Sequence, residues 1–371
     1  MGRFLMLVIC VALGVFSWPT IKDFLHKKDY QESIHSLQSK INNLKQNATV
    51  IAGSDKVKQL LDQLGSDNSN QSKAETNQDK VSLETPTKHI FSVDNIELGD
   101  TKKDVEHRAG TPKRTSLNEY GENWNTYHQH YQQFFMAMYD KNNKVIGLYT
   151  NQNLISSTNG IKIGVTKQIV REKLGTPLTG IQKGFTIYQF DKKSDYDVFL
   201  VDGAYVTIFY DKYQQNRVTA IQLINKKVEQ EKTGFYTKAS TALKTGFEYQ
   251  LFDLTNASRV VHHLPILSWD QHVQVTARDH SSDMAEHNYF DHNDLKGRSP
   301  FDRMQQDHIT FLLAGENIAY GQLSSIFAHE GLMNSLGHRE NILQKNYQYL
   351  GVGVAFNQEE QPFYTEDFYS K

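Results

Sequence analysis

Gly315-Glu316-Asn317-Ile318-Ala319, followed by Glu330 and then by Ser335-Leu336-Gly337-His338-Arg339, is the stretch that decides how this chain is read. Taken with His292 upstream, it supplies two carboxylates and two imidazoles, the side chains from which a metal or acid/base site is built. Between residues 324 and 334, Ile326 and Met333 share a helix face, and Glu330 falls between them on that face. A carboxylate centred in an apolar stripe faces an interior or a cleft, where an unpartnered charge is costly. The spacing therefore predicts a compensating partner for Glu330. Ser335 stands where the next helix begins. Its hydroxyl is expected to cap a free backbone N–H rather than act as a nucleophile, since no Ser-His-Asp arrangement accompanies it. Asn317 and Asn341 are expected to hold loops through their amides, and Arg339 to pair with a carboxylate.

Working outward, Leu243, Phe247, Leu251 and Leu254 have helical spacing, and Val273, Ala277 and Met284 place a second helix from about Asp270 to His287. His280 shares the face of that second helix and reads as a hydrogen-bonded core residue. Short strands follow at 349–356, with its Gly-Val-Gly-Val, and at 362–369. Helices flanking a small antiparallel sheet predict an α-β-α sandwich. Upstream lies a repeat: Ile96-Glu97-Leu98-Gly99, Val105 and Gly110-Thr111-Pro112 recur as Ile161-Lys162-Ile163-Gly164, Val170 and Gly175-Thr176-Pro177. Each copy reads as a short strand, a turn at Gly, a short helix and a Gly-Thr-Pro stop. Hairpins are expected behind them, with turns at 140–143 and 211–214. The fold class is α+β, a duplicated unit whose halves share a sheet. His128 and His130 read as surface residues.

Asp283-Met284, Tyr289-Phe290-Asp291-His292, Gly315-Glu316-Asn317-Ile318-Ala319 and Asn334-Ser335-x-Gly337-His338-Arg339-x-Asn341-Ile342-Leu343 together resemble a bacterial CAP-superfamily domain. This is the group of cysteine-rich secretory proteins, antigen 5 and plant pathogenesis-related proteins. The resemblance covers 233–371, and the repeat at 93–230 is similar to the CAP-associated N-terminal domain of Gram-positive bacteria. It implies a sandwich with a cleft lined by a His/Glu tetrad, which falls on His292, Glu316, Glu330 and His338, with His329 a competitor for the place of Glu330. Leu332 stands where bacterial relatives often have Trp, and Leu336 where they often have Pro.

The N-terminus is of another character. Residues 4–21 are almost uninterruptedly apolar; at about 1.5 Å per residue they cover roughly 27 Å, close to a hydrocarbon core of about 30 Å. They read as a signal-anchor or a signal peptide, and so as the membrane contact and a membrane helix. Residues 22–92 read as a polar linker, with a short a/d seam at Ile34, Leu37, Ile41 and Leu44. Cys10 lies in the apolar run and is the single cysteine, so no intrachain disulfide forms. A formal charge of −2 gives no electrostatic footprint for nucleic acid.

These features predict an extracellular protein, membrane-anchored or secreted. Three roles follow for the tetrad. It serves a binding or signalling module for a lipid, a small apolar ligand or a wall-derived peptide. Alternatively, His292 and His338 bind a divalent metal such as zinc, and Glu316 or Glu330 acts as the base of a peptidase or esterase. In the third, it is a hydrogen-bonded core network. No HExxH motif supports the metal.

Overall fold

A computed structural model describes residues 82–191 and 193–371. The apolar run at 4–21, the seam at 34–44 and nearly all of the polar linker lie outside the described residues. Among the described residues no helix is long and apolar enough to cross a membrane.

The first copy of the repeat comprises β1 (Phe91–Val93), α1 (Lys102–Ala109), β2 (Arg114–Leu117), β3 (Asn123–Gln129), β4 (Gln132–Tyr139), β5 (Val145–Thr150) and β6 (Ile155–Ser157). The second comprises α2 (Lys167–Leu174), β7 (Gly180–Lys183), β8 (Thr186–Gln189), β9 (Tyr196–Val201), β10 (Ala204–Asp211), β11 (Arg217–Asn225) and α3 (Lys226–Glu231). The repeated motif folds alike in both. Thr101 and Thr166 cap α1 and α2 through their hydroxyls, and each helix stops at a glycine, Gly110 at φ 78° and Gly175 at φ 83°. Each helix buries one valine, Val105 or Val170. The copies share one seven-stranded sheet, ordered β2-β3-β4-β5-β11-β10-β9, joined where β5 pairs antiparallel with β11.

The C-terminal half comprises α4 (Thr241–Val261), β12 (Ser268–Trp269), α5 (Gln271–His287), α6 (Pro300–Gln306), β13 (Leu313–Tyr320), α7 (Ser325–Met333), α8 (Leu336–Ile342), β14 (Tyr349–Phe356) and β15 (Pro362–Ser370). Its sheet runs β12-β14-β15-β13, which leaves β13 at an edge. Alternation along the strands divides the two faces. Leu350, Val352, Val354, Tyr364 and Phe368 pack with Leu243, Phe247 and Leu251 of α4. On the opposite face Gly351 and Gly353 let α5 approach so closely that a Cβ at either would collide with its backbone. Met284 joins Ile318 and Phe363 on that side. The α-β-α sandwich is thus present.

The two halves are not separate bodies. Trp124, Phe134, Met138, Tyr149 and Phe209 of the larger sheet share a core with Phe247, Leu251, Ile326 and Leu332 of the C-terminal half. Polar contacts stitch α4 to the first repeat: Arg114 to Asp253 at 2.9 Å, Tyr131 to Asp253 at 2.8 Å, and Gln250 to the Leu117 carbonyl at 2.9 Å. The other face of the larger sheet is covered by α1 and α2 through Val105 and Val170.

Candidate functional site

Edge strand β13 is the spine of the site. Its pairing with β15 sets Glu316 opposite Asp367 on the α5/α6 face, and Asn317 opposite Glu366 on the other face. Both oxygens of Glu316 are engaged. Oε1 accepts from His292 Nδ1 at 2.7 Å, and Oε2 accepts from Arg303 Nη2. Arg303 reaches this position from α6, whose start is fixed by Pro300 and by a capping box between Ser299 and Asp302. Its Nη1 also donates to the His292 carbonyl at 2.8 Å, so one guanidinium holds both partners of the dyad. Asp367 sits against Glu316 without a hydrogen bond of ordinary geometry. Burial, then the Glu316 charge, raises its pKa well above the ordinary carboxylate value, which favours the protonated form beside the ion pair. His280 lies 4.0 Å from Glu316 and bonds the Asp291 carbonyl at 3.0 Å; burial lowers its pKa.

His338 is presented by α8. Its Nδ1 lies 2.8 Å from Ser335 Oγ. This corrects the expectation for Ser335: the residue occupies the N-cap position but makes no side-chain cap bond, because its hydroxyl is spent on the imidazole. Burial, and then the nearby His292, lowers the His338 pKa to about 4, so the ring is neutral near pH 7. Asn341 donates to the Glu316 carbonyl at 3.1 Å and to Asn317 Oδ1 at 3.0 Å, while Asn317 donates to the His338 carbonyl at 3.2 Å. These amides clip α8 to the edge strand. Among the described residues neither His292 Nε2 nor His338 Nε2 has a protein partner, and the His292 side chain is 32% exposed.

Glu330 goes elsewhere. Its carboxyl accepts from Tyr149 of β5 at 2.7 Å, and the charges that bear on it are Asp211 and Arg339, not the cleft histidines. Phe327, three residues earlier on α7, packs edge-on against Tyr196 and Phe209 of the seven-stranded sheet, so the acid is turned to the interface between the halves. The compensating partner expected for Glu330 is therefore a tyrosine from the duplicated region. Burial raises the Glu330 pKa to about 7. His329 is fully buried, 2.7 Å from Ser258 Oγ, with its pKa lowered by burial to about 3. Arg339 finds its carboxylate in Asp211 at 2.8 Å, again across the interface.

Among the described residues no three His, Cys, Asp or Glu side chains are placed to hold an ion. With both Nδ1 atoms engaged, His292 and His338 leave two nitrogens, one short of the three protein ligands of a catalytic zinc site. The residues do not fit resident zinc.

Residues 98–235 match the CAP-associated N-terminal family, and residues 252–368 match the Cysteine-rich secretory protein family. The chain is 31% identical over 306 residues to the membrane protein YlbC of Bacillus subtilis, across 77% of this chain and 85% of that one. The chain belongs to the CAP family. A second Bacillus subtilis protein, YkwD, is 39% identical over 141 residues, across 38% of this CAP protein and 53% of that chain. An extracellular SCP-domain protein from Bacillus anthracis superposes with a TM-score of 0.63 at 25% identity, covering 74% of this chain and 94% of that chain. A cysteine-rich secretory protein from Staphylococcus aureus gives 0.61 at 16% identity, with coverage of 78% and 95%, and supports the fold alone.

In this CAP chain Arg303 and Asp367 carry no local sequence signal for their place beside Glu316. An arginine one turn into a capped helix looks solvent-facing, and its neighbour Met304 signals only that some face is buried. Asp367 was legible only through strand register, which sets it opposite Glu316. The departures Leu332 and Leu336 have separate fates: Leu332 is core, whereas Leu336 is 56% exposed at the start of α8.

Proposed function

We propose that this CAP protein is a ligand-binding module of the cell exterior, membrane-anchored or secreted. Its cleft at His292, Glu316 and His338 receives a lipid, a small apolar molecule or a wall-derived peptide. The observation that carries this reading is the pair of Nε2 atoms. Each imidazole is oriented through Nδ1, by Glu316 or by Ser335, and keeps its other nitrogen for a ligand. Exposed apolar side chains lie on the same segments: Phe290 packs at a tilt against Tyr320 with ring centres 4.8 Å apart, and Leu336 adjoins Ser335. A polar centre with apolar neighbours suits an amphipathic ligand. The exterior location is supported by the apolar run at 4–21, the extracellular Bacillus anthracis relative and the membrane protein of Bacillus subtilis.

A metal-dependent hydrolase is the weaker reading, because Glu316 is paired to Arg303 and Glu330 is turned to Tyr149. Neither carboxylate is free to take a proton from a water at the imidazoles. The test is to titrate the full chain with muropeptides and with phosphatidylglycerol vesicles, reading the melting temperature. Binding raises it, and His338→Ala weakens affinity about tenfold, the worth of one hydrogen bond. The reading fails if neither ligand shifts the melt, or if the shift survives both His292→Ala and His338→Ala.

A further inference from the structure

A second recess lies away from the cleft, where the β9–β10–β11 edge of the larger sheet meets α7 and the segment after α3. It has a volume of about 50 Å³, and Phe190, Val198, Phe235 and Phe327 form apolar walls. At roughly 10–15 Å³ per water this is room for a few heavy atoms, the size of a short branched chain or the leading edge of an aromatic ring.

Two observations say that the recess is built for a polar partner as well. Gln222 lines it from β11 and is 2% exposed, and among the described residues its Nε2 has no hydrogen-bond partner. A buried amide donor left unmade is expensive, and a ligand acceptor would satisfy it. The recess is also lined by two lysines, Lys183 and Lys232, and one carboxylate, Glu229. Lys183 pairs with Glu229 at 2.6 Å, and Tyr120 donates to the same carboxylate at 2.7 Å. Lys232 donates only to carbonyls, those of Gly234 and Phe235. Glu119, next to Tyr120, is not part of the lining; burial raises its pKa to about 7, and both of its oxygens lack partners. Lys183 and Lys232 thus line the recess against the single lining carboxylate of Glu229; burial lowers the Lys232 pKa, and the Glu229 and Glu119 charges oppose that shift.

We propose that this recess is a binding site for a small apolar carboxylate, its hydrocarbon against Phe190, Val198 and Phe327 and its oxygens on Gln222 Nε2 and the Lys183/Lys232 end. The occupant's charge suits Lys232, whose ammonium hydrogen-bonds to carbonyls and not to a carboxylate, and its acceptor matches the unmade donor. The hairpin β7–β8 supplies Ile181, Lys183 and Tyr188 to the lining and leaves Phe185 and Ile187 exposed beside it. A ligand larger than the recess would extend along that hairpin.

The test uses isovalerate and phenylacetate, each against its neutral amide, titrated into the full chain and followed by saturation-transfer NMR and calorimetry. At least one acid binds, its amide binds about tenfold more weakly or not at all, and Gln222→Leu weakens the acid about tenfold. Val198→Phe fills the recess from β9 and abolishes binding in a chain whose circular dichroism is unchanged; it decides the matter if Gln222→Leu fails to fold. Neither acid binding, amides binding as tightly as acids, or acid binding that survives Val198→Phe each overturns the site.

Discussion

Glu330→Gln separates the charge of this buried carboxyl from its shape. The glutamine keeps an acceptor for the Tyr149 hydroxyl, now 2.7 Å from Glu330 Oε1, and removes the titration. Burial holds the Glu330 pKa at about 7, against 4.5 ordinarily. A carboxyl whose pKa is raised on folding favours the protonated native state, so its stability is intact below 4.5 and is lost as pH rises to 7. Ionising the native group by neutral pH costs about 3 kcal/mol, and the glutamine variant escapes this cost. Chemical denaturation of both full chains at pH 4.5, 6 and 8 reads the difference. The two have similar stability at pH 4.5; the variant gains across the interval and leads by about 3 kcal/mol at pH 8, with no further change above 7. A gap that does not vary with pH, or a variant less stable at pH 8, refutes the assignment of Glu330 to a dry interface.

Arg303→Met strands the Glu316 charge and lowers stability by about 3–5 kcal/mol; Glu316→Gln in the same chain restores most of it, as a double-mutant cycle by denaturation will show. Gly353→Ala forces a Cβ into the backbone of Ala277 and Arg278 and destabilises by at least about 1–3 kcal/mol, read as a lower melting temperature. His329, held neutral with a pKa of about 3 against 6.5 ordinarily, contributes stability that is present above 6.5 and lost as pH falls toward 3. His329→Gln is therefore less stable than the parent at pH 7.5, and the gap narrows by about 1 kcal/mol per pH unit below 6.5 in the same denaturation series.

Local signals carried far in this chain. The Gly turn and Gly-Thr-Pro stop of each repeat marked α1 and α2, Asp270 marked the start of α5, and the Gly-Val-Gly-Val run marked a strand, while the Thr101 and Thr166 caps and the close approach of α5 to that strand emerged only in the fold. His292 and Glu316 were legible because each sits in a motif with fixed neighbours, and the structure brings them into direct contact. Glu330 was legible as a buried acid but not as one facing the larger sheet. Helical periodicity says which residues share a face, and nothing about which neighbour that face meets. Ser335 was misassigned for a related reason: an N-cap serine and a serine bonded to a histidine three residues on have the same sequence signature. Arg303 and Asp367 required the register of β13 against β15, which no local pattern encodes.

The duplicated region is a scaffold for the cleft rather than a lid over it. Swinging it aside would expose Phe134, Tyr149 and Phe209 together with Phe247 and Leu251, a loss of about 1.5–3 kcal/mol for each large side chain returned to water. What it offers the site is position. The corner between α7 and α8 carries Ser335, and its preceding residue Asn334 is held from the other half: the amide donates to the Tyr210 carbonyl at 2.8 Å and accepts from Lys212 N at 3.0 Å. Arg339, adjacent to His338, is fixed to Asp211 of the same hairpin. The imidazole of His338 is oriented by Ser335, Ser335 is set by the corner, and the corner is set by residues 210–212. The His292–Glu316–His338 site is thus built by the C-terminal sandwich but held in place by contacts from the β10–β11 turn. A substitution in that turn therefore shifts His338 through the Asn334 and Arg339 contacts without altering the identity of any residue of the site.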